Sequence, residues 1–230
     1  MSLVLYGLYA VSVILQILLI FLLLRNSLRQ YRLFLSYCVI QLILIFSQSV
    51  VLYTMGASSS QYRTVYWLSE VIAYFLLFIM VILMTDRILE GNPFRPKATK
   101  ILFIITIVAT LLPFVLYGNY FSSRWYRQTC QLLSLSGAVM NLVLWTGMLT
   151  QRRKDAQLMK VSAGLGLGVT GIAIAYGVRP FLPADWHWLT DVFKSVVLTG
   201  MLAIWCWAFW RTAPQTADSR QPLTGNTQAL

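Results

Sequence analysis

Stretches of almost uninterrupted apolar residues recur seven times along this chain, at roughly 3–24, 33–55, 64–86, 101–117, 129–150, 161–182 and 188–210. Each is close to the ~20 residues that an α-helix needs to cross a ~30 Å hydrocarbon layer. A single segment in lipid must satisfy its own backbone hydrogen bonds, so each stretch predicts a transmembrane helix. The fourth is the shortest, and Pro113 with Thr106 and Thr110 predicts a kinked span there. The expected fold class is therefore all-α, a polytopic seven-transmembrane-helix bundle over residues 1–211. The remainder, 212–230 (TAPQTADSRQPLTGNTQAL), is polar and proline-containing and is expected to be a disordered tail with no soluble output domain.

The polar and small residues inside these spans predict which faces turn inward, because in lipid such groups, rather than a hydrophobic drive, hold helices together. In the sixth span Gly164, Gly168, Gly171 and Ala175 recur at intervals of four, three and four, which is one helical face suited to close packing. The fifth aligns Gln131, Ser134, Ala138, Asn141 and Trp145, the second Tyr37, Gln41 and Gln48, and the first Tyr9, Ser12 and Gln16. The fourth offers only threonines and is expected to face lipid.

Ionisable residues within the spans narrow the picture further. A charge near the bilayer centre costs roughly 2.5–3.5 kcal/mol on insertion scales, so it needs a partner or a water-filled cavity. Glu70 lies six residues into the third span, on a face with Arg63, Tyr66, Trp67 and Tyr74. Asp191 and Lys194 lie three and six residues into the seventh, with His187 four positions before Asp191 on the same face. Arg179 precedes Pro180 at the end of the sixth. Glu70 and Lys194 are thus expected at one depth, about 9 Å from their helix starts at 1.5 Å per residue. Two readings follow. The charges form a structural network, with Asp191 and Lys194 as a pair three residues apart, or they build a ligand pocket from Glu70, Lys194, Asp191, Arg179 and His187, with Tyr66, Trp67, Gln48 and Tyr176 near its walls.

Composition agrees with the membrane class: 58% of residues are hydrophobic and only 11% charged, against roughly 25% charged in soluble domains. The net charge of +11 lies in short clusters between the spans, which excludes a nucleic-acid face and sets an orientation. Thirteen of the eighteen Lys and Arg residues follow the first, third, fifth and seventh spans; Arg63, Arg124, Arg127, Arg179 and Lys194 lie toward the other side. By the positive-inside rule the N-terminus is expected outside and the C-terminus in the cytoplasm of a cell inner or plasma membrane. Tyr62, Tyr66, Trp67, Tyr117, Tyr120, Trp125, Tyr126, Trp186 and Trp188 gather at the outer boundary, as interfacial aromatic belts do. Met1 to Leu24 lacks a basic n-region and has too long an apolar run for a cleavable signal, so it is expected to remain as a helix.

Chemistry is sparse. Cys38, Cys130 and Cys206 have no Cys-x-x-Cys spacing and read as buried thiols, and the one histidine, His187, completes no Ser/His/Asp set and no HExxH motif. No cofactor and no metal are expected. A lysine in a seventh helix invites comparison with the microbial rhodopsins, but Lys194 stands only about a third of the way along and three rather than four residues after its aspartate, so a retinal site is not expected. The reading that results is a non-enzymatic, sensor-like protein binding a small polar or anionic ligand from outside, with a membrane or cytoplasmic protein as partner. That partner or anionic lipid would meet the basic segments 151–155 (QRRKD) and 94–100 (FRPKATK). A small secondary transporter with Glu70 as proton carrier, and an accessory subunit of a membrane complex, fit the same residues.

Overall fold

A computed structural model of the chain describes residues 2–25, 31–56, 58–90, 95–116, 122–150 and 156–210. The tail and the QRRKD segment lie outside the described residues. Seven helices are long and apolar enough to cross a membrane: α1 (Ser2–Arg25), α2 (Arg32–Met55), α3 (Ser60–Ile88), α4 (Arg95–Leu116), α5 (Ser123–Thr150), α6 (Ala156–Val178) and α7 (His187–Trp210). No strand occurs among the described residues.

The helices differ from the apolar stretches mainly at their ends. α3 starts four residues earlier than the apolar run, because Ser59 caps it by accepting a hydrogen bond from the Tyr62 amide at 3.1 Å. α4, α5 and α6 likewise begin with polar turns, RPKATK, SRWYRQ and AQLMK, that hydropathy assigns to loops. A helix continues past the hydrocarbon edge as long as its backbone bonds to itself. α6 instead stops short, at Val178 rather than near 182, since Pro180 lacks an amide hydrogen and disfavours helical geometry in the residue before it. A 3-10 turn, Arg179–Phe181, follows.

Neighbouring helices run α1, α2, α3, α5, α6, α7 and back to α1, with α4 packed outside against α3 and α5. That displacement matches the composition of α4. Only Leu102, Thr106, Ala109 and Pro113 of α4 are buried, while Ile101, Phe103, Ile104, Ile107, Val108, Leu111 and Phe114 are exposed. The rest of the outer surface is equally apolar, with Ile14, Phe21, Phe46 and Leu142 among its exposed residues. In water such a surface would associate; in lipid it is the stable exterior.

The glycine face of α6 packs against α7, and α6 is the most deeply buried of the helices. A methyl group added at Gly164 would come within 2.7 Å of the Trp205 indole, and one at Gly171 within 2.5 Å of Val197 Cγ1; at Gly168 it would meet the Met201 sulfur. Gly166 faces the other way, toward Asn141 and Trp145 of α5. Close approach here gives van der Waals contact that larger side chains would prevent. Replacing Gly171 by Val is expected to overpack this seam and cost about 1–3 kcal/mol, whereas Gly177→Ala, with open space around it, is expected to leave stability unchanged. Thermal midpoints of the two purified variants check the contrast.

Candidate ligand site

Polar residues from five helices converge near the face of the bundle where α1, α3 and α7 begin. At the centre, Lys194 Nζ of α7 lies 2.6 Å from Glu70 Oε2 of α3, with the two side chains 15% and 17% exposed. The Tyr176 hydroxyl of α6 donates to the same carboxylate oxygen at 3.3 Å and is itself 3.3 Å from Lys194 Nζ. The ammonium also stands over two aromatic faces, 5.4 Å from the Tyr176 ring and 5.8 Å from the Tyr66 ring. One cation is thus held by a carboxylate, a phenol and two π faces, which together replace the water it has lost.

A second ion pair lies nearer the end of the bundle. Arg179 Nη1 is 2.5 Å from Asp191 Oδ1 and 3.4 Å from Thr190 Oγ1, with side-chain exposures of 28% for Arg179 and 44% for Asp191. The sequence allowed an Asp191–Lys194 pair within α7; in the structure each residue pairs with another element instead. His187 turns away: its Nε2 is 3.2 Å from the Leu182 carbonyl oxygen, in the connection between α6 and α7, and it lines neither cavity described below. Sharing a helical face with Asp191 did not suffice, because α7 begins at His187 and the first turn packs against its own connection.

Two cavities meet at Lys194. The central cavity, about 230 Å³, lies among α1, α2, α3 and α7. Tyr9, Ser12 and Gln16 of α1, Gln41 and Gln48 of α2, and Glu70 contribute its polar wall. The vestibule, about 240 Å³, lies among α3, α6 and α7 and is lined by Tyr66, Trp67, Ala175, Tyr176, Arg179, Thr190, Asp191 and Lys194. Trp67 is held in place by stacking on Tyr126, with centroids 6.4 Å apart and planes at 4°. Tyr126 and Trp125 are buried within the bundle, and the Trp125 indole donates at 3.2 Å to the carbonyl of Pro113 in the last turn of α4. Trp186 and Trp188 are exposed at this end, and Tyr117 and Tyr120 lie outside the described residues.

The inward stripes of α1 and α2 bound the central cavity through direct bonds. Gln16 Nε2 donates to the Cys38 carbonyl at 2.9 Å, joining α1 to α2, and Ser12 shares a 2.7 Å hydrogen bond with Thr199, joining α1 to α7. Ser69, Ser195 and Trp205 also line it and did not stand out as site residues in the sequence. Their spacing held the signal: Tyr66, Ser69, Glu70 and Ala73 follow one helical face, as do Asp191, Lys194, Ser195, Leu198, Met201, Leu202 and Trp205.

The floor of this cavity is aromatic. Tyr37 and Trp205 line it, and their rings pack onto Phe34, which packs in turn on Phe209 and, through it, Tyr31. The Trp205 indole donates to the Val161 carbonyl of α6 at 2.8 Å, so the floor is fixed to the glycine seam. All five rings are buried. At the opposite face of the bundle Arg95 grips Asp86 with two bonds of 2.8 and 2.6 Å, and Thr99 adds a third at 3.3 Å, which ties the start of α4 to the end of α3. Among the described residues no three His, Cys, Asp or Glu side chains are grouped to hold a metal ion.

Removing one member of an ion pair leaves the other charge unpaired, at a cost that reaches about 3–5 kcal/mol when the pair is fully buried and is smaller for a part-buried pair such as this one, whereas removing both is often neutral. Glu70→Gln and Lys194→Met are accordingly expected to lower thermal stability and folded yield separately, and the double variant to recover most of the loss. Melting curves of the four proteins in one detergent make the comparison. No family model, curated protein or solved structure matches this chain.

Proposed function

We propose that this protein is a non-enzymatic receptor of a cell inner or plasma membrane, which binds a small polar ligand from the outer side and passes the bound state to a protein on the inner side. The observation that carries this reading is the central cavity, where a part-buried Lys194–Glu70 pair and a wall of amides and hydroxyls stand above an aromatic floor. Interior polarity is costly in a membrane protein, and its convergence on a cavity is what a binding site requires. The orientation, N-terminus outside and C-terminus cytoplasmic, rests on the basic residues that follow α1, α3, α5 and α7 in the sequence.

A receptor must also couple its pocket to its far side. The stack from Trp205 and Tyr37 to Phe34, Phe209 and Tyr31 supplies such a route, since packed rings shift together rather than deform singly. Its far end meets α3, where the Arg87 guanidinium lies 5.2 Å from the Tyr31 ring centroid. The basic start of α4, Arg95, Lys97 and Lys100, is the nearby surface a partner or anionic lipid headgroups would meet.

Proton-coupled transport is the second reading, supported by the place of Glu70, whose partner Lys194 borders both cavities. The layer of five buried rings beneath the cavity favours the receptor.

The test is ligand-dependent stabilisation, followed together with tryptophan fluorescence, over a panel of amino acids, sugars and organic acids. A responding compound is expected to lose its effect in the Glu70→Gln/Lys194→Met double variant. A double variant that folds and responds as the parent does would reduce the pair to a structural role. Proton-dependent uptake of the same compound into vesicles, abolished by Glu70→Gln, would replace the receptor by a transporter.

A further inference from the structure

We propose that the vestibule takes a small zwitterion, a molecule with one ammonium and one carboxylate on a frame the size of an amino acid. The inference rests on the receptor reading and names its ligand class.

Charge balance is the first argument. The charged side chains lining the two cavities are Arg179, Lys194, Glu70 and Asp191, two of each sign, and they are paired with one another. A ligand of net charge would leave one of them, or itself, without a partner of opposite sign. A zwitterion exchanges partners and leaves every charge paired.

Exposure identifies the pair that exchanges. Lys194 and Glu70 are 15% and 17% exposed and further held by Tyr176, whereas Arg179 and Asp191 are 28% and 44% exposed. Water already reaches the second pair, so opening it costs less. The ligand carboxylate then takes the place of Asp191 on the Arg179 guanidinium, beside the Thr190 hydroxyl, and the ligand ammonium neutralises Asp191.

The walls suit that ammonium. Of the three aromatic sides of the vestibule, Tyr66 and Tyr176 are taken by the Lys194 ammonium, at 5.8 and 5.4 Å, which leaves Trp67 as the face for a ligand ammonium. Trp67, stacked on Tyr126, is a rigid third surface. Cations bind over such faces because the ring quadrupole is negative there, and of the two ring types present indole binds them more strongly than phenol. At about 240 Å³ the space is below the ~300–1,000 Å³ usual for drug-sized ligands. Asp191 and Lys194 also border the central cavity, so an exchange of partners in the vestibule is felt there directly.

The experiment uses the purified full chain in lipid nanodiscs, with glycine betaine and L-alanine as zwitterions, propionate as anion and choline as cation. Thermal midpoint and tryptophan fluorescence are followed against probe concentration. At least one zwitterion is expected to raise the midpoint saturably, with propionate and choline inactive at the same concentrations. The Arg179→Gln/Asp191→Asn double variant removes one charge of each sign and so keeps the site neutral and the fold intact; it is expected to weaken zwitterion binding at least tenfold. Equal stabilisation by a singly charged probe, unchanged affinity in the double variant, or silence from both zwitterions would each overturn the proposal. If the zwitterions are silent while another compound gives a response that Glu70→Gln/Lys194→Met abolishes, the receptor reading stands without this ligand class. If no compound acts, both fall.

Discussion

The ion pair between Lys194 and Glu70 connects two helices that do not sit side by side in the ring. α3 packs among α2, α4 and α5, and α7 packs between α1 and α6. The 2.6 Å contact therefore crosses the interior. Where water is scarce neither charge is tolerable alone, so each restricts where the other helix can stand. The pair fixes the depth of α3 against α7, and Tyr176 extends the constraint to α6 through its 3.3 Å bond to Glu70. A cavity remains because the pair holds the helices in register without filling the space among α1, α2, α3 and α7.

Close packing on the other side of α7 complements that arrangement. The glycines of α6 let its backbone lie against Trp205, Met201 and Val197. Trp205 is thereby held at the base of the cavity, bonded to the Val161 carbonyl and packed against Phe34 and Tyr37. One side of α7 is thus rigid and apolar at depth, while its earlier turns carry Asp191 and Lys194 toward the vestibule. The two cavities and their common wall follow from this division along a single helix.

Much of this was legible in the sequence. Hydropathy located all seven helices because lipid leaves few alternatives to an apolar helix of spanning length. Counting residues from the edges of the apolar runs anticipated the meeting of Glu70 and Lys194 but not the helix starts, for Glu70 lies ten residues along α3 and Lys194 seven along α7. The glycine seam and the exposure of α4 followed from periodicity. Less legible were the partners. Asp191 has Lys194 three residues away yet bonds Arg179, and His187, on the same face as Asp191, bonds Leu182. Trp125 and Tyr126 resemble belt residues in composition but are buried against α4 and Trp67.

The sequence by itself determined the number of helices and most of their inward faces, because each depends on one helix and the bilayer: length and period suffice. Tertiary structure decided which charge meets which, that α4 stands outside the ring, and that Trp205 lines the central cavity. Those outcomes depend on the rotation and neighbours of helices far apart in the chain. Partner choice in a low-dielectric interior is settled by distances of a few ångströms, which no spacing along a single helix specifies.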